Sequence, residues 1–179
     1  MEVNITRIKF NVILLGESIV GKSCLVQSLI GEKFEVSQLV TVGVESVLHK
    51  VIIDGKEFLF KIYDAGGQRY DSIASLKLKI VDGVVLVFSV DNKKSLETIS
   101  KWVDKIENNV NRNEKILILV GNKIDINRRK VTTEEGMNFA KERNMKYFET
   151  SAKTGFGVDE AFNEIFQDIY EFNKKIEGC

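Results

Sequence analysis

The sequence predicts an α/β protein in three layers, with helices on both faces of a six-stranded, mostly parallel sheet. Apolar runs of buried-strand length alternate with segments whose apolar residues recur at helical spacing. The dipeptide Asp54-Gly55 joins two strand candidates as a tight hairpin would, so one strand is expected to be antiparallel. We expect about five helices in a single domain over residues 1–179, with an N-terminal extension at 1–7 and a C-terminal tail starting at 172–179.

The first half of the chain opens with the apolar run 10–15, which predicts a buried strand closed by Gly16. A helix is expected from about Lys22. Residues 47–53 and 58–63 are the two strands of the hairpin, because each is rich in branched or aromatic side chains.

The second half repeats a strand, helix and strand pattern. Residues 84–90 and 116–120 are continuous apolar runs, and between them apolar residues recur at helical spacing: Leu96, Ile99, Val103 and Ile106. Thr132 and Glu135 form the pattern of a capping box that starts a further helix. A short strand at 147–148 then precedes a long amphipathic helix whose apolar stripe runs from Val158 to Tyr170.

Composition narrows the class of protein. A chain of 179 residues that is 44% hydrophobic can bury a full core. Lysine plus arginine equals aspartate plus glutamate at 26 each, so nucleic acid is not an expected partner. Cys24 and Cys179 lie far apart and predict no disulfide framework. Because the apolar runs are too short for a bilayer and no signal-peptide pattern opens the chain, we expect a cytoplasmic protein.

Residues 16–23 match the pattern glycine, four residues, glycine, lysine and serine, placed where a strand turns into a helix. Backbone N–H groups of such a loop wrap phosphates, Lys22 reaches the β and γ phosphates, and the Ser23 hydroxyl suits Mg²⁺. A glycine turn beside an exposed lysine is the alternative. The strand before and the helix after favour phosphate binding, although the pattern does not choose the base.

Asn122-Lys123-Ile124-Asp125 follows directly on a predicted strand, so its side chains should emerge at the same sheet edge as the phosphate loop. The Asp125 carboxylate can accept from both N1–H and the 2-amino group of guanine. Adenine offers neither donor and would leave a carboxylate unpaired. Guanine is therefore the expected base, although read by itself this segment is an ordinary polar loop.

Two further segments suit a site for a triphosphate. Asp64 ends a predicted strand and is placed to hold a Mg²⁺-bound water near the γ-phosphate, unless 64–68 is a simple turn. Thr41 lies in the aperiodic stretch 34–45, where its hydroxyl is available to Mg²⁺.

The order and spacing of these motifs resemble a small GTPase of the Ras superfamily, and the resemblance covers nearly the whole chain: 16–23, Thr41, 64–67, 122–125 and 151–153. Within the superfamily the chain is most similar to the Rab branch, through 16–23, 41–45 and 149–153. It diverges at 77–80, where the paired aromatics of Rab proteins are missing, and 82–88 and 91–96 would suit a Ras-type member equally well.

The resemblance implies a role for each matching residue. Ser23 and Thr41 would ligate Mg²⁺, Asp64 would hold its water, the Gly67 amide would sense the γ-phosphate, and Gln68 would orient the attacking water. The guanine would be contacted by Phe34, Asn122, Lys123, Asp125 and the Ala152 amide, with Ser151 and Lys153 supporting that loop. The remaining nucleotide contacts would come from Gly16, Glu17, Ser18, Ile19, Val20, Gly21, Lys22 and Cys24.

The function implied by the resemblance is binding of GTP or GDP with Mg²⁺ and slow hydrolysis of GTP, as a switch in vesicle and membrane traffic. Exchange factor, activating protein and effectors are the expected partners. A Ras-like signalling GTPase and a scaffold that binds nucleotide but hardly hydrolyses it are the alternatives; an ATPase or kinase would have no use for 122–125. Attachment to the cytosolic face of intracellular membranes through a lipidated C-terminus is an expectation from the family, because Cys179 matches no complete lipidation pattern.

Several positions depart from the family pattern. The Gly66-Gly67 pair should make a single pose of Gln68 more costly in conformational entropy, and Arg69 reverses a charge beside it. Ile19 occupies a place usually given to a small residue, so its side chain must point away from the phosphates or narrow the site. Ser46 replaces a common Rab aromatic, which weakens any inference about effectors. His49 is expected at the surface, and Cys24 as a small packed helix residue.

Overall fold

The computed structural model describes residues 8–32, 44–66 and 77–177. Their strands form one six-stranded sheet in the order β2-β3-β1-β4-β5-β6. β2 runs antiparallel to β3, and every other neighbouring pair is parallel. The predicted mixed sheet is confirmed, with these strands: β1 (Ile8–Leu15), β2 (Val44–Ile53), β3 (Lys56–Ala65), β4 (Gly83–Ser89), β5 (Ile116–Asn122) and β6 (Lys146–Glu149).

The described residues contain four α-helices and one 3-10 turn at Arg112–Glu114, against about five helices expected for the whole chain. The helices are α1 (Lys22–Leu29), α2 (Lys93–Asn109), α3 (Thr133–Glu142) and α4 (Val158–Glu177). The expected start of a tail at 172 therefore lies inside α4. Residues 171–177 hold no glycine or proline, and Lys174 and Lys175 in the last turn favour the helix dipole.

The predicted capping box starts α3. The Glu135 N–H donates to the Thr132 hydroxyl at 3.1 Å, and the Thr132 N–H donates to a Glu135 carboxylate oxygen at 2.8 Å. Two N–H groups that have no partner inside the helix are satisfied in this way.

Each face of the sheet buries its own apolar core. On one face, α1 and α4 cover the sheet with side chains that include Leu25, Val26, Phe162, Ile165 and Phe166. On the other face, α2 and α3 do so with side chains that include Leu96, Ile99, Trp102, Ile106 and Ala140. The apolar periods that predicted the helices are therefore their buried stripes.

Five parallel strands end at one edge of the sheet, and the loops after four of them contain predicted site residues. β1, β3, β5 and β6 end in that edge, and they are followed by Gly16, Gly66, Lys123 and Thr150, respectively. Loops at the carboxyl ends of parallel strands are the usual ligand site of such sheets. Among the described helices, none has the length and apolarity that a bilayer span requires.

Candidate nucleotide site

The loop at 16–21 depends on its two glycines. Gly16 and Gly21 have φ angles of 153° and 99°, which favour glycine. A Cβ atom at Gly16 would collide with the carbonyl oxygen of Val87, and one at Gly21 would collide with the side-chain amide of Asn122. The loop can therefore lie close to β4 and β5 only because both positions lack a side chain.

Lys22 lies buried beneath this loop. Its ammonium donates to the carbonyls of Gly16 at 3.1 Å and Glu17 at 2.7 Å, so the head group is held inside the curve of the loop. Burial lowers the pKa of Lys22 to about 8, although the charges of Asp64 and Glu17 oppose that shift. A buried cation surrounded by loop backbone is suited to an anionic ligand, as the sequence predicted.

Asp64 and Ser23 form the part of the site that fits a divalent cation. The Ser23 hydroxyl contacts one Asp64 carboxylate oxygen, and the other carboxylate oxygen is buried without a hydrogen-bond partner among the described residues. Burial raises the pKa of Asp64, while Ser23 and Lys22 oppose the shift. Buried carboxylate and hydroxyl oxygens are ligands that Mg²⁺ prefers, and an ion would satisfy the unpartnered oxygen. The residues present fit the ion.

Ile19 points away from the loop interior. Its side chain is 76% exposed, and its φ is 67°, which is a left-handed conformation that branched residues rarely adopt. Of the two alternatives raised by the sequence, the structure therefore favours a side chain turned to solvent. The conformation costs about 1–2 kcal/mol relative to a right-handed one.

Asn122 connects three loops through its side chain. Its amide donates to the carbonyl of Val20 at 3.0 Å, and its carbonyl oxygen accepts from the Thr150 hydroxyl at 3.1 Å and the Ala152 N–H at 3.2 Å. The side chain is 1% exposed. Both of its polar atoms are engaged inside the protein, so the side chain positions the loops. Its amide has a second N–H donor, and a direct contact of Asn122 with guanine stays a prediction. The Ala152 N–H, expected to meet guanine, is also turned towards Asn122.

Asp125 stands exposed at the outer end of the same loop. One of its carboxylate oxygens accepts from the Ser151 hydroxyl at 2.6 Å, and that hydroxyl in turn accepts from the Thr154 N–H at 3.1 Å. Because a carboxylate can accept about four hydrogen bonds, this arrangement orients Asp125 and leaves capacity for a ligand. Lys123, with φ of 67°, places its side chain beside Gly21, where a Cβ atom would lie 4.0 Å from the Lys123 Cε.

Several predicted site residues lie outside the described part of the chain: Phe34, Thr41, Gly67, Gln68, Arg69 and Cys179. The structure brings together the remaining members of the phosphate loop (Glu17 and Ser18 half-buried, Val20 buried), and Cys24 is half-buried behind it, as expected. Lys153 is exposed beside Ser151 and Ala152.

His49 differs from its prediction. It is half-buried and stacks on Phe166 with ring centroids 5.8 Å apart, rather than lying at the surface. Burial lowers its pKa, and the charge of Asp159 opposes the shift. Alternation along β2 places His49 on the face that packs against α4. The sequence did not indicate this burial, because a single histidine in a strand gives no signal of which face it lies on.

Two residues that act on the site had not been singled out from the sequence. Thr150 donates to Asn122, and its place beside Ser151 and Ala152 is the one indication the sequence gave. Thr98 on α2 donates to the Glu17 carboxylate at 2.7 Å, across 81 residues of chain. No local pattern indicates a contact of that kind, because it depends on how the helix crosses the sheet.

Comparison with known proteins agrees with this geometry. The model of the Ras family matches residues 11–171. The Ras-related protein Rab-13 of Mesocricetus auratus is 35% identical over 162 residues, which are 89% of this chain and 79% of that protein. Rab-8A of Bos taurus is 33% identical over 172 residues, or 94% and 83% of the two chains, and Rab-18 of Lymnaea stagnalis is 33% identical over 161 residues, or 89% and 80%. The chain therefore belongs to the Ras family, as a divergent Rab-like small GTPase.

Proposed function

We propose that this protein binds GTP or GDP together with Mg²⁺, hydrolyses GTP slowly, and acts as a nucleotide-dependent switch in vesicle and membrane traffic. The single observation that carries the proposal is the meeting of the phosphate loop and the 122–125 loop through the hydrogen bond from Asn122 to Val20. That contact holds the loop proposed to bind phosphates and the loop proposed to bind the base at one sheet edge. Rab relatives support the traffic role.

In this proposal each group has a separate task. Lys22 and the backbone of 16–21 bind the phosphates, and Asp125, oriented by Ser151, reads the base. Ser23 and Asp64 would hold Mg²⁺, which neutralises charge on the β and γ phosphates when bound. Thr41, Gly67 and Gln68 complete the proposal by resemblance: the first two respond to the γ-phosphate, and the third orients water.

Hydrolysis is expected to be slow without a partner, at a rate of order 10⁻⁴ per second. Catalysis of this reaction is mainly positional and electrostatic, so the exchange factor and activating protein expected by resemblance would set the timing of the switch. Effectors would read the segments around Thr41 and Gly67, whose contacts to the γ-phosphate differ between the two nucleotide states.

A scaffold that binds nucleotide without hydrolysing it is the second candidate. Ile19 carries backbone strain inside the phosphate loop, and the Gly66-Gly67 pair favours a less ordered approach to Gln68. A scaffold of this kind would still bind nucleotide, so the two candidates differ in one measurable step, which is the release of phosphate from bound GTP.

Single-turnover release of phosphate from bound γ-labelled GTP separates them. We expect wild-type protein to release phosphate slowly but measurably, and Gln68→Leu to slow the release by about tenfold or more. Gln167→Leu, an exposed glutamine on α4, is the matched control and should behave as wild type. Equal, negligible release from wild type and Gln68→Leu would instead support the scaffold and remove the catalytic role of Gln68.

A further inference from the structure

The phosphate loop contains one acidic side chain, Glu17, and a residue of α2 forms a hydrogen bond with it. Glu17 is the second residue of the loop, and its backbone carbonyl accepts from the Lys22 ammonium at 2.7 Å. Its carboxylate accepts from the hydroxyl of Thr98 on α2, also at 2.7 Å. Both side chains are half-buried. The loop that would receive a polyanion thus carries a negative charge of its own.

This charge acts on the same cation that a phosphate would use. Glu17 lies near enough to Lys22 for its charge to favour the protonated ammonium. A carboxylate and a phosphate that share one cation repel each other, and the repulsion grows when the carboxylate moves closer or when its surroundings are dry. The orientation of Glu17 should therefore influence how tightly the loop holds phosphates.

Thr98 is the group that fixes this orientation. Its hydroxyl has one proton, with two acceptors in reach: the Glu17 carboxylate at 2.7 Å and the Lys94 carbonyl at 3.0 Å. The contact with Glu17 is the shorter one, and hydrogen bonds to charged groups are the stronger kind. Since α2 packs on β4, the hydroxyl is anchored to the sheet rather than to the loop.

We propose that Thr98 is a positioning residue for nucleotide binding: it holds the Glu17 carboxylate against α2 and thereby keeps that charge away from the bound phosphates. The proposal rests on the proposed function, because it concerns the affinity of the same loop for a nucleotide. It assigns α2 a direct influence on the phosphate site.

The test is a double-mutant cycle of Thr98→Val and Glu17→Gln, read as the dissociation constants of GTP and GDP by displacement of a fluorescent GDP. Thr98→Val keeps the shape of the side chain but removes the donor, so it should weaken binding of GTP by about fivefold at low salt. Glu17→Gln removes the charge and should tighten binding by about threefold. In the Glu17→Gln background, Thr98→Val should change affinity by less than about twofold.

Three comparisons separate positioning from a structural role. Thr98→Ser keeps the hydroxyl and should bind as wild type. Glu97→Gln removes a neighbouring exposed charge from α2 and should leave affinity unchanged. The effect of Thr98→Val should shrink at about 0.5 M salt, because screening acts on charge repulsion and not on packing.

The proposal is overturned if Thr98→Val weakens binding equally in both backgrounds, if Glu17→Gln weakens binding, or if Thr98→Val leaves affinity unchanged. Each of these results requires that the wild-type protein binds nucleotide. If the proposed function itself failed, the wild-type protein would bind neither GTP nor GDP.

Discussion

The side-chain amide of Asn122 donates a 3.0 Å hydrogen bond to the backbone carbonyl of Val20, joining two loops that are 102 residues apart in sequence. The same side chain accepts from Thr150 and Ala152, so one buried amide sets the spacing of three loops. Gly21 permits this approach, because any side chain there would collide with the amide. The loops at 16–21, 122–125 and 150–153 are thereby held at a fixed separation.

Loss of this amide should damage both stability and binding. Asn122→Ala leaves the Val20 carbonyl and the Thr150 hydroxyl without their buried partner, and each such group costs about 1–3 kcal/mol. We expect the free energy of unfolding in urea to fall by about 2–4 kcal/mol. Affinity for GDP should fall by at least about tenfold, because the loops lose their common anchor. Asn138→Ala, at an exposed position of α3, is the control; equal effects from the two variants would contradict the role of Asn122.

The left-handed backbone at Ile19 predicts a stabilising substitution. Ile19→Gly removes the Cβ that is strained at a φ of 67°, and should raise the free energy of unfolding by about 1 kcal/mol. Ile19→Ala removes most of the same exposed apolar surface but keeps a Cβ, so its free energy of unfolding should rise much less. Urea unfolding at a fixed GDP concentration measures both, because bound ligand shifts apparent stability. Equal stability of the two variants would show that the backbone at Ile19 is not strained.

Affinity for nucleotide should fall as the pH rises through the pKa of Lys22. In the free protein burial lowers that pKa to about 8, and bound phosphates would favour the protonated ammonium. The contribution of the charge is therefore present below the free protein's pKa and is lost above it. Between about pH 7 and about pH 8.5 we expect GDP to bind about fourfold more weakly.

This range stays below the pH at which guanine itself ionises. Lys22→Met is the control, because it should bind weakly at every pH in the range with a flat profile. A flat profile in the wild-type protein as well would mean that Lys22 does not titrate in this range.

Gly136 on α3 predicts an unusual response to alanine. In an exposed helix this change usually stabilises, but here the new Cβ would overlap the ring of Tyr147. The ring cannot move easily, because its hydroxyl donates to Glu149 at 2.9 Å and its face stacks near Phe88. Gly136→Ala should therefore lower the free energy of unfolding by about 1–3 kcal/mol.

A second substitution keeps this prediction testable. Tyr147→Leu removes the ring, so adding Gly136→Ala in that background should cost much less than it does in the wild-type protein. If Gly136→Ala lowered the free energy of unfolding equally in both backgrounds, the ring of Tyr147 would not be the cause of the destabilisation.

Local patterns in the sequence were sufficient for most of the fold. The apolar runs at 84–90 and 116–120 became β4 and β5, and Thr132 with Glu135 began α3 as predicted, because period and capping act over a few residues. The tail expected from residue 172 overlaps the last turns of α4, which continues to Glu177. Most residues after Tyr170 are polar or charged, and such residues suit a tail as well as an exposed helix end.

The sequence predicted which residues lie together at the candidate site, but it did not predict the hydrogen bonds that connect the loops. Lys22, Ser23 and Asp64 meet as expected, because they follow strands that end at one sheet edge. The partners of Asn122 and the contact between Glu17 and Thr98 depend on side chains far apart in sequence, which no local pattern records. The outward turn of Ile19 is likewise set by the backbone conformation of the folded loop.

We propose that the site recognises guanine through Asp125 and phosphates through residues 16–23. Displacement of fluorescent GDP by unlabelled GDP, inosine diphosphate and ADP measures this recognition. We predict that GDP displaces the probe most readily, that inosine diphosphate, which lacks the 2-amino group, is weaker by about tenfold or more, and that ADP is weaker by about a thousandfold or more. Displacement by ADP as readily as by GDP would contradict the claim.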